Sequence, residues 1–293
     1  MLLRAPRPDD APAILDLIIA RDIADLGRPD YTLEDVRADW SAPGIEVTRD
    51  AWLVEDGGAV LGYALLDDRG AALITVPPEH EGRGIGSALR VAAEARALER
   101  GEALVRQYVP TANEAARAEL LGAGYWPAYS YFRMRMDLAG AAPAPDVPVR
   151  AFSRGIDDAP VHALVEEAMA GVAGNEPRSL ESWQAAKVDK AGWDPALWLL
   201  HEDADGLAGV VLCERWEEGV GYVDYLAVAP RVRGQGLGRA MLLHGLAALR
   251  AAGQAVAELS VQGENASATR LYESVGLRPV WTIERWEKPL RAM

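Results

Sequence analysis

The chain has 293 residues, half of them hydrophobic, a single cysteine and a formal net charge of −14. That length suits two packed domains better than one. The acidic balance argues against broad nucleic-acid binding, which depends on clustered Lys and Arg. Cys213, standing alone, excludes an internal disulfide framework and reads as a buried thiol in an apolar strand. His80, His162, His201 and His244 lack ligand spacing, so no metal is expected. No apolar run is long enough for a membrane span. The first residues lack the apolar stretch of a signal peptide, so a cytoplasmic protein without membrane or nucleic-acid partners is expected, as a monomer or homodimer.

In chain order, Asp9-Asp10-Ala11-Pro12 opens an apolar-periodic helix, with the acidic residues as expected caps and Pro tolerated in the first turn. Strands follow at Ala51–Val54 and around Gly62. A glycine turn, Pro78-Glu79-His80-Glu81-Gly82-Arg83-Gly84-Ile85-Gly86, comes next, and then Asn113 and Gly124. The segment 139–148, rich in Pro and Ala, reads as an extended linker. Beyond it the order repeats: Asp157-Asp158-Ala159-Pro160 opens a helix, and strands follow at Leu197–Leu200 and around Gly209. An apolar strand at Tyr225–Val228 leads into Pro230-Arg231-Val232-Arg233-Gly234-Gln235-Gly236-Leu237-Gly238. A helix is expected over Arg239–Ala251, a strand over Ala255–Val261, and a second helix after Asn265. From the first glycine turn to Gly124, each marker has its counterpart 152 residues later: Pro78 and Pro230, Gly84 and Gly236, Asn113 and Asn265, Gly124 and Gly276. Two like domains, 1–138 and 147–293, joined by 139–146, are the expected organisation.

The second glycine turn is the most informative segment. Glycines let the backbone approach a ligand closely, and the N–H groups of a starting helix favour an anion, with pyrophosphate as the natural occupant. The glycine spacing alone is weak evidence, and a dinucleotide loop would need further βα units that the chain lacks. The order of residues on and beyond the turn is more specific. Arg233, Gly236 and Gly238 on a strand-to-helix turn, then Asn265, Tyr272, Gly276 and Leu277 in that order, resemble the two signatures of the GNAT superfamily of N-acetyltransferases. The resemblance implies an α/β (α+β) fold in two tandem GNAT domains, each a mixed, mostly antiparallel sheet flanked by helices. It implies acetyl-CoA as cosubstrate and an amine as acceptor.

Carried over residue by residue, the resemblance places acetyl-CoA along Leu226, Ala227 and Val228. The coenzyme's pyrophosphate would lie on Arg233, Gly234, Gln235, Gly236, Leu237, Gly238 and Arg239, and its pantetheine arm on Asn265, which reads equally as a helix cap. The Val228 N–H would polarise the thioester carbonyl. Tyr272 is the expected acid for the departing thiolate, against a packing aromatic. Asp224 is the expected base for the amine, against a solvated strand residue; strand alternation puts it on one face with Tyr222, Leu226 and Val228. In the first copy these groups become Ala72, Gly70 and Leu120, and Glu81 stands at the Arg233 position, so that copy reads as degenerate.

The tandem arrangement, with chemistry in the second copy, resembles the mycothiol synthase branch of the superfamily, which acetylates a cysteinyl amine. That branch has Glu where this chain has Tyr222. A small-molecule amine is the expected acceptor. A protein lysine or N-terminal acetyltransferase and a non-catalytic acyl-CoA sensor stay open. Trp183, Trp281 and Trp286 could wall an apolar pocket but read more readily as core.

Overall fold

A computed structural model describes residues 1–172, 175, 177–189, 192–217 and 219–290. The first copy gives β1 (Leu2–Arg4), α1 (Ala11–Leu26), α2 (Leu33–Trp40), α3 (Val47–Asp50), β2 (Ala51–Asp56), β3 (Ala59–Leu66), β4 (Ala72–Thr75), α4 (Ile85–Glu99), β5 (Leu104–Pro110), α5 (Glu114–Gly122) and β6 (Trp126–Asp137). The second gives β7 (Arg150–Ala151), α6 (Asp158–Met169), α7 (Leu180–Lys187), β8 (Trp198–Asp203), β9 (Gly206–Glu217), β10 (Val220–Val228), α8 (Leu237–Ala251), β11 (Val256–Gln262), α9 (Ala266–Ser274) and β12 (Arg278–Pro289). The same series of elements occurs twice, except that a 3-10 turn at Pro195–Leu197 stands before β8 where the first copy has α3, and the fold is the expected tandem α/β arrangement.

The chain forms two compact units, Met1–Ser130 with Trp281–Met293, and Tyr131–Val280. The division falls inside β6 and inside β12. In the first unit β1 to β4 form an antiparallel sheet in chain order. The inner strand β3 is buried on both faces, against Ile14 and Ile18 of α1 on one side and Ile85 and Leu89 of α4 on the other. Ile283–Pro289 of β12 pairs antiparallel with β5 in this unit, and Trp286 joins its core.

In the second unit β7, β8, β9 and β10 pair antiparallel in order, and β11 lies parallel to β10. The outer edge of β11 is taken by Tyr131–Asp137 of β6, antiparallel. Trp183, Trp198, Leu200, Leu212 and Met241 fill the core, with Cys213 buried beside them. The helix α8 lies close on this sheet. A Cβ on Gly221 would stand 2.5 Å from Leu249 and one on Gly245 2.7 Å from Val211. At the helix start a Cβ on Gly209 would meet Leu237 at 3.2 Å, so α8 is held against β9 there as well.

The acidic pairs at the helix starts do not act as expected. Asp10 and Asp157 occupy the N-cap positions of α1 and α6, yet neither side chain caps its helix. Asp10 instead accepts both guanidinium branches of Arg4, at 2.7 and 2.8 Å, and Asp157 accepts those of Arg150, at 2.6 and 2.8 Å. A bidentate ion pair makes two charge-assisted bonds between opposite charges, where a cap would make one to a neutral N–H. The Arg4 guanidinium holds the Asp10 carboxyl below the usual carboxylate range, and Arg150 does the same for Asp157. Glu55 and Glu202 complete matching three-residue clusters, so the duplication extends to side-chain pairing.

Candidate active site

In the second unit β10 and β11 pair at Val220–Val256, Gly221–Ala257 and Tyr222–Glu258, and their register stops there. Both strands run on, to Val228 and Gln262. Past the third rung they therefore part, and the β10 edge over Leu226, Ala227 and Val228 faces a cleft rather than a strand. A backbone edge of this kind can bond an extended amide-bearing chain, which is what a pantetheine arm is.

The cleft ends at the glycine turn. Gly234 (φ +77°) and Gly236 (φ +87°) are left-handed, and Gly236 is the N-cap of α8. The first-turn N–H groups of Leu237, Gly238 and Arg239 have no helical carbonyl before them. The Arg233 side chain folds back, its Nε donating to the Val228 carbonyl at 3.1 Å, while Arg231 pairs with Asp203 at 2.6 Å. Gly238 packs on Val228 and Leu271, a Cβ there lying 3.6 Å from each. Asn265 caps α9, its Oδ1 accepting the Ala268 N–H at 3.0 Å. That is the capping role open to it from its spacing.

Tyr272 lies on α9, half-buried against the core. Burial pushes its hydroxyl up to about 12, with Tyr222 adding to the rise. It is a protonated donor at neutral pH, as an acid for a thiolate must be. If it serves so, Tyr272→Phe lowers turnover roughly tenfold to a hundredfold while the fold, judged by thermal melting, is unchanged. Full turnover in the Phe variant would remove the role.

Asp224 sits where the β9–β10 register shifts between Val223 and Tyr225. The bulge interrupts strand alternation, so Asp224 does not simply share a face with Tyr222 and Leu226 as a regular strand would require. Its Oδ2 is 2.6 Å from Lys187 Nζ on α7, and the two side chains are 17% and 19% exposed. Lys187 is delivered by Trp183, which is fully buried one turn earlier on the same helix face. Its ammonium also stands 5.3 Å from the Tyr225 ring centroid. Burial first, and then the Asp224 charge, push the Tyr225 hydroxyl up to about 12.

Sequence reasoning missed the aromatic wall beside this group. Trp216 and Tyr222 are in tilted contact, with centroids 4.4 Å apart and planes at 51°, and the Arg133 guanidinium lies 4.9 and 5.0 Å from the two ring centroids. Glu258, only 3% exposed, pairs with Arg135 at 2.6 Å and lies 3.9 Å from Arg133. Burial raises the Tyr222 hydroxyl, while Arg133 and hydrogen bonds from Ser260 oppose the rise. Arg133 and Arg135 lie on β6, outside the motif-bearing stretch, so no spacing rule points to them.

The first unit carries the same cleft with different contents. The parting between β4 and β5 opens into a cavity of about 630 Å³ that includes the glycine turn at Gly84 and Gly86. Leu120 is buried where the second copy has Tyr272, and Ala72 where it has Asp224. Glu81, at the Arg233 position, is bound by Arg21 at 2.5 Å. The Glu119 carboxylate stands over the start of α4, accepting from Ser87 Oγ at 2.9 Å and from Arg90 at 3.2 Å. Asn113 caps α5 and donates from Nδ2 to Asp25 at 3.2 Å.

In the same cavity, burial pushes Asp22 up to about 6. The unfolded value is lower, so the folded unit favours the protonated form. The associated stability is present at pH 4 and lost as pH rises through 6. Asp22→Asn should then stabilise the protein at pH 7, by on the order of 1 kcal/mol after solvent screening, and hardly at pH 4. Melting curves of both proteins across that range check it; a gap independent of pH would contradict it.

Among the described residues no His, Cys, Asp and Glu group could hold a metal, and no helix is long and apolar enough to cross a membrane. Trp183 and Trp286 are core residues. A parallel strand pair that parts after three rungs, a glycine turn at the following helix start and a tyrosine-bearing helix beside it define an acyltransferase. The pattern of the Acetyltransferase (GNAT) family matches residues 15–122 and again 164–277, and the chain belongs to that family.

The chain is similar to the mycothiol acetyltransferase of Thermobispora bispora, 33% identical over 244 residues that span 79% of this chain and 81% of that protein. The mycothiol acetyltransferase of Kineococcus radiotolerans is 36% identical over 234 residues, 75% of each. A GCN5-related N-acetyltransferase from Sphaerobacter thermophilus superposes with a TM-score of 0.86 at 29% identity, over 99% of this chain and 96% of that one. A tandem GNAT protein from the clavulanic acid biosynthesis pathway shares the fold, with a TM-score of 0.76 at 20% identity over 100% and 99%. The protein is thus a tandem GNAT acyltransferase.

Proposed function

We propose that the second unit transfers an acetyl group from acetyl-CoA to a primary amine of a small molecule, with a cysteinyl amine of the mycothiol-precursor kind as the first acceptor to try. The observation that carries this reading is Asp224 holding an alkylammonium at 2.6 Å beside the parted strands. A carboxylate that already binds one such group can receive another and take its proton.

In this reading the coenzyme's arm bonds the β10 edge at Leu226, Ala227 and Val228, and its pyrophosphate rests on the turn from Arg233 to Arg239. The Asn265 side chain lies along the arm. The Val228 N–H polarises the thioester carbonyl, where charge develops as the amine attacks. Asp224 accepts the amine's proton, directly or through one water, and Tyr272 protonates the departing thiolate. Arg133, Trp216 and Tyr222 give the acceptor side a cationic and aromatic wall. The first unit, with Leu120, Ala72 and Glu119 in the corresponding places, contributes no proton transfer.

The similarity to two mycothiol acetyltransferases supports the cysteinyl choice. A panel of cysteinyl conjugates, amino sugars and short peptides, with free thiol release as the readout, tests it. Acetylation of peptides in preference to all small amines would overturn the substrate class. Tight acetyl-CoA binding without release of thiol for any amine would make the protein a sensor.

A further inference from the structure

We propose that Lys187 is itself an acceptor: without an amine substrate, acetyl-CoA acetylates its Nζ. This rests on the function proposed above. If Asp224 takes the proton of the attacking amine, the nucleophilic nitrogen must stand within a hydrogen bond, or one water, of that carboxylate. Lys187 Nζ stands 2.6 Å from Oδ2 and so already occupies such a place. Its tether is four carbons long, and the pair is partly open to solvent.

The residue type adds a second argument. Of 30 Lys and Arg residues, only Lys187, Lys190 and Lys288 are lysine. Charge alone would be served by arginine, which this chain uses almost everywhere and which cannot lose its proton. The group held on Asp224 is a cation that can become an amine.

The step balances. The Nζ ammonium gives a proton to Asp224, and its lone pair attacks the thioester carbonyl carbon. An N–C bond forms, the C–S bond breaks, and the bonding pair leaves on sulfur. The nitrogen's second proton is released as Tyr272 donates one to the thiolate, leaving Nε-acetyllysine and the free coenzyme thiol. The product carries no charge. It ends the ion pair with Asp224 and leaves a neutral amide beside the Tyr225 ring.

Lys288 is a built-in control. It pairs with Glu94 at 2.7 Å and also lies by a tyrosine ring, that of Tyr125, but in the first unit, where Leu120 stands at the Tyr272 position. The full-length protein is incubated with acetyl-CoA alone and its peptides are followed by mass spectrometry. Lys187 should gain one acetyl group at least tenfold faster than Lys288. Asp224→Asn and Gly236→Glu should each reduce it to the Lys288 rate. Equal rates at the two lysines, in a protein that binds acetyl-CoA by calorimetry and releases thiol with the amine panel, would overturn this inference and leave the proposed function standing. A protein that neither binds acetyl-CoA nor acetylates any amine would overturn both.

Discussion

Gly236→Glu should abolish acetyl-CoA binding, lowering affinity at least a hundredfold while the protein stays folded. Two effects act together. At φ +87° any side chain is strained, by about 1–2 kcal/mol, and that cost falls on the fold. The carboxylate then stands at the N-cap of α8, where the helix dipole and the N–H groups of Leu237, Gly238 and Arg239 would otherwise meet a pyrophosphate. The added charge repels the ligand and competes for the same donors. Gly236→Ala separates the two effects, because it carries the strain without the charge and should bind within about tenfold of the parent. Isothermal calorimetry on both variants decides the matter. Undiminished affinity in a folded Gly236→Glu protein would show that the coenzyme lies elsewhere.

Asp224→Asn should lower turnover by roughly a hundredfold or more at pH 7, in the range of a lost general base. The size of the loss, and its pH dependence, report the acceptor. An alkylamine with a pKa of about 10.4 costs about 4.6 kcal/mol to deprotonate at pH 7, so a base matters greatly. An α-amine with a pKa of about 7.8 costs only about 1 kcal/mol. As pH rises, more amine is neutral in solution and the variant recovers relative to the parent. For a cysteinyl amine the gap should close near pH 8 to 9, and for an alkylamine only above pH 10. Rate profiles of both proteins on one amine test this. A loss that is constant with pH would leave Asp224 as a holder of Lys187 and nothing more.

The parts of this site that arise from backbone demands were legible in the sequence. Left-handed positions at Gly234 and Gly236 leave few alternatives to glycine, and the same demand at Gly84 exposed the duplication. Helix and strand bounds around them came within a few residues, with α8 starting at Leu237 rather than Arg239. The arrangements that depend on distant side chains were hidden. Arg4 and Arg150 draw Asp10 and Asp157 away from the helix ends, and nothing local announces that competition. The bulge at Asp224 is a property of the pair β9 and β10, and cannot be seen in β10 alone. Lys187 reaches Asp224 only because Trp183 anchors α7, and Arg133 reaches Tyr222 only because β6 pairs with β11.

The division of the chain inside β6 and β12 has a consequence for biosynthesis. The edge strand of β11 is contributed by Tyr131–Asp137, made before the rest of its unit. The edge strand of β5 is contributed by Ile283–Pro289, made after the other strands of both units. The unit translated first is therefore the one completed last, and Trp286 is missing from its core until then. Such a closure across the length of the chain is intrinsically slow. During translation β5 presents a bare edge, the kind of surface that other strands can join. The second unit, by contrast, has its flanking strand waiting before its own helices exist. A released chain truncated after residue 280 should resist protease from β6 onward and be cut readily upstream of it.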